Sequence, residues 1–113
     1  NAVLACTANN IIELLDAKSG KEIKTVKSPG AAIRDTVVFP DGKRFATAHA
    51  NGNVGLWKTN TLGRLASFPA SQSNECIDVS SDGYMLAIGG SRGQVILMDG
   101  MSLRARQKNN KNE

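Results

Sequence analysis

The stretch FPDGKRFATAHANGNVGLWK, Phe39 to Lys58, decides the fold. Two short apolar runs flank two turn signals, Asp41-Gly42 and Asn51-Gly52, and the stretch ends beside Trp57, the chain's only tryptophan. Asp and Asn tolerate turn conformations and Gly readily adopts a positive φ, so both pairs favour tight hairpins. The stretch therefore predicts antiparallel strands joined by short turns.

The same pattern returns 41 residues further along the chain. The segment Thr36–Gly42 shifts onto Ile77–Gly83, and the segment 54–57 shifts onto 95–98. Each copy holds apolar runs of strand length, rich in Val, Ile, Phe, Leu and Thr, separated by turn signals. A repeat with a period of about 41 residues and four such runs predicts a four-stranded antiparallel meander in each copy.

An earlier copy precedes the complete one. The segment 54–57 falls on 12–15 with an offset of 42, whereas Phe45-Ala46 falls on Leu4-Ala5 with an offset of 41. We therefore expect a one-residue gap in the turn near Asn9.

The strands are apolar on both faces, unlike those of a sheet with one face in water. The runs VLAC, TVVF and MLAIGG do not alternate between apolar and polar residues. Such a sheet must be covered on both sides, and neighbouring copies of the same sheet would cover it. The sequence predicts an all-β fold, a segment of a β-propeller built from four-stranded antiparallel blades.

The predicted organisation is two and a half blades followed by a tail. We expect a partial blade of three strands in 1–27, a complete blade in 28–69, a partial blade of three strands in 70–103 and a basic polar tail in 104–113. Closed propellers have at least about four blades. The remaining blades are therefore expected from a longer chain or from another subunit.

Charge is concentrated in the tail. The chain has a net charge of +4, with 14 basic and 10 acidic residues. Four of these basic residues and one of the acidic ones lie in 104–113, so the rest is nearly neutral. The tail is thus the one segment that could contact nucleic acid or an acidic protein, although a solvated, frayed end is the simpler interpretation of it. No apolar run approaches the roughly 20 residues that span a bilayer, so no membrane contact is expected.

The repeated segments resemble WD40 repeats. The stretch 39–58 is similar to the family's pattern of a Pro-Asp-Gly hairpin, a small-residue strand, a second hairpin and Val-x-Leu-Trp-Asp. The segments SSDGYMLAIGGSRGQVILMD and IIELLD follow this pattern more loosely. The resemblance extends over most of the chain between Ala2 and Leu103.

The sequence also departs from that pattern. The Trp-Asp pair is replaced by Trp57-Lys58, Met98-Asp99 and Leu15-Asp16, and the Gly-His pair expected before each first strand is absent. Asn51 and Arg92 replace the usual Asp of the second hairpin. We therefore expect that the family's buried Asp–His–Ser–Trp hydrogen-bond network does not form in full. Trp57 is predicted to lie in the core between blades.

The resemblance implies a non-catalytic scaffold that mediates protein–protein interactions within a larger assembly. Its binding face is built by the loops before the first strand and by those between the second and third strands of each blade. In this chain these loops are 27–34, 49–51, 70–75 and 91–92. The candidate partner-binding residues are Arg34, His49, Asn51, Gln72, Glu75 and Arg92.

The sequence leaves two other functions open beside the scaffold. One is association with RNA or a ribonucleoprotein, related to splicing or the ribosome, through the basic tail. The other is a propeller hydrolase, which the lack of a repeated acidic or histidine position disfavours. His49, the only histidine, has no local catalytic or metal-binding companions and is alternatively a half-exposed turn neighbour. We expect no catalytic residue, no metal and no cofactor.

The two cysteines favour an intracellular location, in the cytoplasm or the nucleus. Cys6 and Cys76 lie 70 residues apart in apolar runs and form no metal or redox motif. Such cysteines behave as small hydrophobic residues in a reducing compartment.

Overall fold

The computed structural model describes residues 2–7 and 9–100 and the backbone of 105–106. These residues form eleven strands in three antiparallel sheets. The first sheet, blade 1, has the order β1-β2-β3, formed by β1 (Ala2–Cys6), β2 (Ile11–Asp16) and β3 (Glu22–Lys27).

Blades 2 and 3 have four strands each. Blade 2 has the order β4-β5-β6-β7, formed by β4 (Ile33–Val38), β5 (Arg44–His49), β6 (Asn53–Lys58) and β7 (Arg64–Pro69). Blade 3 has the order β11-β10-β9-β8, formed by β8 (Asn74–Val79), β9 (Met85–Gly90), β10 (Val95–Asp99) and β11 (Ala105–Arg106). The predicted all-β meanders are confirmed.

The outer strand of blade 3 is a correction to the sequence analysis. Three strands were expected in this blade because the segment RARQKNNKNE is very polar, but β11 pairs with β10 through Leu97–Arg106 and Met98–Ala105. A strand of only two residues, Ala105 and Arg106, is too short to show an alternating pattern, so composition did not reveal it. The remainder of the predicted tail, 107–113, lies outside the described residues, as does 104.

The register of blade 1 is a second correction. Leu4 pairs with Leu14, and Ala46 pairs with Leu56, so the offset between blades 1 and 2 is 42 on both strands. The expected gap near Asn9 is therefore wrong, because a one-residue shift would have turned Leu4 to the opposite face of its sheet. Asn10, with a φ of 64°, occupies the turn position that Gly52 holds in blade 2.

Blade 2 is buried on both faces, as predicted. Phe45 and Trp57 face blade 1, where they pack with Ile12 and Leu14 of β2. Their rings stack with centroids 5.8 Å apart. The opposite face packs against blade 3 and forms the larger core cluster, whose buried members are Phe39, Ala46, Ala48, Val54, Leu56, Ile77, Leu86, Ile88 and Met98.

The outward faces of blades 1 and 3 lack such cover within the described residues. Val3 holds the position of Phe45 in the repeat, yet it is 50% exposed whereas Phe45 is fully buried. Val95 holds the position of Val54, and the exposed fractions are 44% and 0%. Equivalent apolar positions are therefore buried only where a second blade packs against them.

Gly52 in the turn between β5 and β6 illustrates how closely the connections approach. Its φ is 92°, and a Cβ at this position would overlap the carbonyl oxygen of Ser71. The Gly52 carbonyl also accepts hydrogen bonds from the backbone N–H groups of Ala70 and Ser71, with N···O distances of 2.8 and 3.3 Å. The connection between blades 2 and 3 is thus fixed against this turn.

We predict that Gly52→Ala is far more destabilising than Gly93→Ala. Gly93 occupies the equivalent turn of blade 3 with a φ of 83°, but nothing lies within 4 Å of its would-be Cβ. Gly93→Ala therefore adds only backbone strain, about 1–2 kcal/mol, while Gly52→Ala adds a steric overlap and should cost about 3–5 kcal/mol. Urea unfolding of both variants measures the difference, and equal losses would contradict the close approach.

Candidate functional site

The loops of the predicted binding face lie along one edge of the blades, here called the upper edge. It comprises the connections between blades, 28–32 and 70–73, and the turns around Asn10, Asn51 and Arg92, which join β1 to β2, β5 to β6 and β9 to β10. Antiparallel strands place all of these segments at the same end of the sheets. The opposite ends, with the turns at 39–43 and 59–63, form the lower edge.

Five of the six candidate residues are exposed at this edge. Arg34 and Glu75 are the second residues of β4 and β8, at the irregularity that each strand has in its pairing. Asn51 and Arg92 occupy equivalent turns of blades 2 and 3. Gln72 lies in the connection between these blades. The structure thus gathers the five residues along one edge.

His49 is buried inside the blade, so its interpretation as a half-exposed turn neighbour is wrong. It is 6% exposed, and both ring nitrogens have partners. Nε2 lies 2.8 Å from Thr47 Oγ1, and Nδ1 lies 3.0 Å from the carbonyl oxygen of Ala31. An imidazole bonded at both nitrogens has no polar atom to offer to a partner.

Trp57, Thr47 and His49 form one directional hydrogen-bond network. The Trp57 indole Nε1–H donates to Thr47 Oγ1 at 3.0 Å. Because indole only donates, the Thr47 hydroxyl proton is free to donate to His49 Nε2. The Nδ1–H of His49 then donates to the Ala31 carbonyl, which holds the connection between blades 1 and 2.

This network is a shortened form of the one that the resemblance implies. Thr47 stands where the family has Ser, and a backbone carbonyl stands where it has Asp. The histidine comes from the end of β5 and not from a Gly-His pair before the first strand. The full network does not form, as predicted, but the sequence analysis did not anticipate that His49 would join a shorter one.

Two buried asparagines tie the upper edge together, and the sequence analysis missed both. Asn10 donates through Nδ2 to the carbonyls of Gly30 and Ala31, at 3.1 and 2.9 Å, and its Oδ1 accepts from the N–H of Ile33 at 2.9 Å. It thereby shapes the connection 28–32. The turn signal at Asn10 was recognised, but its reach across the blade boundary leaves no local pattern.

Asn74 does the same at the next boundary. Fully buried at the start of β8, it donates through Nδ2 to the Asn53 carbonyl at 2.9 Å, while its Oδ1 accepts from Ser71 Oγ at 2.6 Å. Both connections of the upper edge are therefore anchored by side chains from the neighbouring blade.

Asp35 also has a structural partner across a blade boundary. Its Oδ2 accepts from the backbone N–H of Ile77 at 2.9 Å, and its Oδ1 accepts from Thr36 N at 2.8 Å. This carboxylate joins the first strands of blades 2 and 3.

No metal-binding cluster of three or more His, Cys, Asp or Glu side chains occurs among the described residues. Nor do these residues form a helix of the length and apolarity needed to cross a bilayer.

Solved structures that resemble this chain contain propellers. The crystal structure of the RRP9 WD40 repeats matches with a TM-score of 0.86 and 13% identity, covering 94% of this chain and 34% of that one. Dihydro-heme d1 dehydrogenase NirN in complex with DHE matches with a TM-score of 0.79 and 24% identity, covering 94% and 23%. No protein-family model matches the chain, and no curated protein matches it.

The fold is therefore that of a segment of a WD40-type β-propeller. The chain spans about a third of the RRP9 chain and about a quarter of the NirN chain.

We predict that Thr47→Val destabilises the protein much more than Thr47→Ser. Valine has the shape of threonine but leaves the buried Trp57 N–H and His49 Nε2 without a partner, at a cost of about 2–5 kcal/mol. Serine keeps the hydroxyl and should cost about 1 kcal/mol for the lost methyl group. Urea unfolding followed by Trp57 fluorescence compares the two, and a Val variant as stable as the Ser variant would disprove the network's contribution.

Proposed function

We propose that this chain is part of a non-catalytic propeller scaffold that binds protein partners along its upper edge. The observation that carries the proposal is the unequal chemistry of equivalent positions. Arg34 corresponds to Glu75, and Asn51 corresponds to Arg92, on the same backbone of successive blades. A fixed backbone that displays different charges from blade to blade is suited to a specific partner with complementary charges.

The rigidity of this edge supports the same proposal. Asn10 and Asn74 hold the two connections through buried hydrogen bonds, and Gly52 leaves no space beneath the second one. Side chains on a pre-organised backbone lose less conformational freedom when a partner binds, which favours affinity.

Further blades complete the ring in this proposal, from a longer chain or from another subunit. The exposed apolar side chains of Val3 and Val95 support it, because their counterparts in blade 2 are fully buried. An uncovered apolar face of this kind is unfavourable in water.

The geometry of the polar residues supports a non-catalytic role over a hydrolase. His49 is hydrogen-bonded at both ring nitrogens, and Asp35 accepts backbone hydrogen bonds at both carboxylate oxygens.

The alternative role in RNA binding rests on the composition of 104–113, most of which lies outside the described residues. Two free cysteines support an intracellular location.

Charge reversal at the upper edge is predicted to remove partner binding. Arg34→Glu and Arg92→Glu place repulsive charges at exposed positions without touching the core. We expect recovery of partners with the tagged protein from cells, quantified by mass spectrometry, to fall at least about tenfold.

Lys43→Glu is the matched control, since Lys43 is exposed on the lower edge. It should leave recovery of the same partners unchanged, and thermal unfolding should show that all three variants remain folded. Equal recovery with the upper-edge variants and the control would reject the upper edge as the binding face.

The alkylation rates of the two cysteine thiols test whether a further blade covers the outward face of blade 3. Burial raises the pKa of Cys6, although the contact of its Sγ with Thr36 Oγ1, at 3.2 Å, partly opposes this. A raised pKa lowers the thiolate fraction near neutral pH and slows alkylation. Cys76 is exposed on the outward face of blade 3, beside Val95.

In the isolated 113-residue chain, iodoacetamide should label Cys76 at least about tenfold faster than Cys6. In the protein as assembled in cells, a covering blade should slow Cys76 labelling to a rate similar to that of Cys6. Mass spectrometry of the labelled peptides measures both rates, and fast labelling of Cys76 in the cellular protein would contradict a covering blade.

A further inference from the structure

A cleft of about 280 Å³ lies on the face of blade 2 that packs toward blade 1. The connection 28–31 forms its roof, and Gly55 of β6 forms its floor. Trp57 and His49 flank this glycine. Blades 1 and 2 and the connection between them all belong to this chain, so the cleft does not depend on further blades.

The cleft exists because Gly55 has no side chain. A Cβ at this position would lie 2.8 Å from both Thr47 Oγ1 and Trp57 Nε1. Glycine therefore lets the indole reach Thr47 and at the same time leaves empty space above the floor. The polar atoms of the flanking Trp57 and His49 are already used in their own network.

The polar side chains at the mouth of the cleft, by contrast, are not used in that network. Ser67 pairs with Gly55, and Arg64 pairs with Trp57, so both side chains stand beside the floor on the adjacent strand β7. Asn53 lies two residues before Gly55 on β6, on the same face. Within the part of the chain that the structure describes, none of these three side chains forms a hydrogen bond, so an amide, a hydroxyl and a guanidinium converge on the cleft unpaired.

The charge of the cleft is positive. Arg64 is the one residue with a full charge among the eleven described residues that line the cleft, and none of them is Asp or Glu. A guanidinium presents parallel N–H donors that match the two oxygens of a carboxylate. Pro29, Gly55 and the indole of Trp57 supply an apolar wall beside it.

We propose that this cleft binds an organic carboxylate with a short apolar body, with Arg64 as the residue that recognises the charged group. Ligand pockets usually measure roughly 300–1,000 Å³, so a volume of about 280 Å³ suits a small acid or one acidic side chain. The single cation and the apolar wall favour a monovalent organic acid over inorganic phosphate. The cleft shares the connection 28–31 and Asn51 with the upper edge, but carboxylate recognition by Arg64 does not require the scaffold function.

Trp57 provides the readout, because it is the only tryptophan and lines the cleft. Butyrate is the probe, and butyramide is its neutral counterpart of the same shape. We expect butyrate to shift the indole N–H signal of Trp57 in a ¹H–¹⁵N spectrum in a saturable manner, while butyramide leaves it unchanged. Inorganic phosphate should bind more weakly than butyrate.

Arg64→Gln should weaken butyrate binding at least about tenfold, because it removes a charge-assisted hydrogen bond. Lys43→Gln removes one positive charge outside the cleft, on the lower edge, and should leave butyrate binding unchanged. The peptide analogue N-acetylglutamate N-methylamide distinguishes the source of the carboxylate. Tighter binding than butyrate indicates an acidic side chain of a protein, whereas weaker binding indicates a free small acid.

Three results would overturn the proposal. They are equal shifts with butyrate and butyramide, unchanged butyrate affinity in Arg64→Gln, and no saturable shift with butyrate. Because the assay uses small probes and no protein partner, its failure leaves the upper-edge proposal standing, and failure of partner binding leaves this one standing.

Discussion

The burial of blade 2 between its two neighbours is the constraint on which the rest of the structure depends. A sheet with apolar side chains on both faces gains free energy only when both are removed from water, at roughly 25 cal/mol per Å². Phe45 and Trp57 meet blade 1, and Ala46, Val54 and Leu56 meet blade 3. Stacking of this kind leaves the strand ends and turns as the main surface through which the chain can meet partners.

Stacked sheets must also be fixed in their relative position, and apolar contacts alone are not directional. The directional contacts lie where the chain crosses from one blade to the next. Asn10, Asn74 and Asp35 each hydrogen-bond to backbone groups of the adjacent blade or of the connection to it. A buried amide or carboxylate that lost its partner would be costly, so these ties define one arrangement of the blades.

The sequence predicted the parts of this fold that have a local signal. Turn pairs such as Asp41-Gly42 and Asn51-Gly52, and the repeat itself, were sufficient for the meanders and the packing of Trp57, whereas the loops of the upper edge came from the resemblance to WD40 repeats. The predicted register of β1 was wrong by one residue. Because Val3 and Leu4 are both apolar, the repeat period does not show which of the two faces blade 2. The strand β11 was missed because its two residues are too few to form a pattern.

The candidate site could be predicted only as a location. Arg34, Asn51, Gln72, Glu75 and Arg92 are exposed because loops that join strands lie at the surface. His49 also ends a strand at this edge, but its environment is set by Thr47 two residues earlier and by a carbonyl from another segment. Contacts between residues far apart in sequence decide burial, so no turn rule distinguishes His49 from its exposed neighbours.

The comparison of equivalent positions explains why the polar network occurs in blade 2 alone among the three described blades. In blade 3 the positions of Thr47, His49 and Trp57 are taken by Ile88, Gly90 and Met98, and in blade 1 by Ala5, Thr7 and Leu15.

Apart from Thr7, which is exposed beyond the end of β1, no residue that replaces a network member has a polar side chain. A network that keeps one member buries an unpaired donor or acceptor, which costs more than a wholly apolar core. The network is therefore retained or lost as a unit. Its one copy among the three described blades lies where Gly55 opens the space beside it, so the same glycine that permits the indole–hydroxyl contact also creates the cleft.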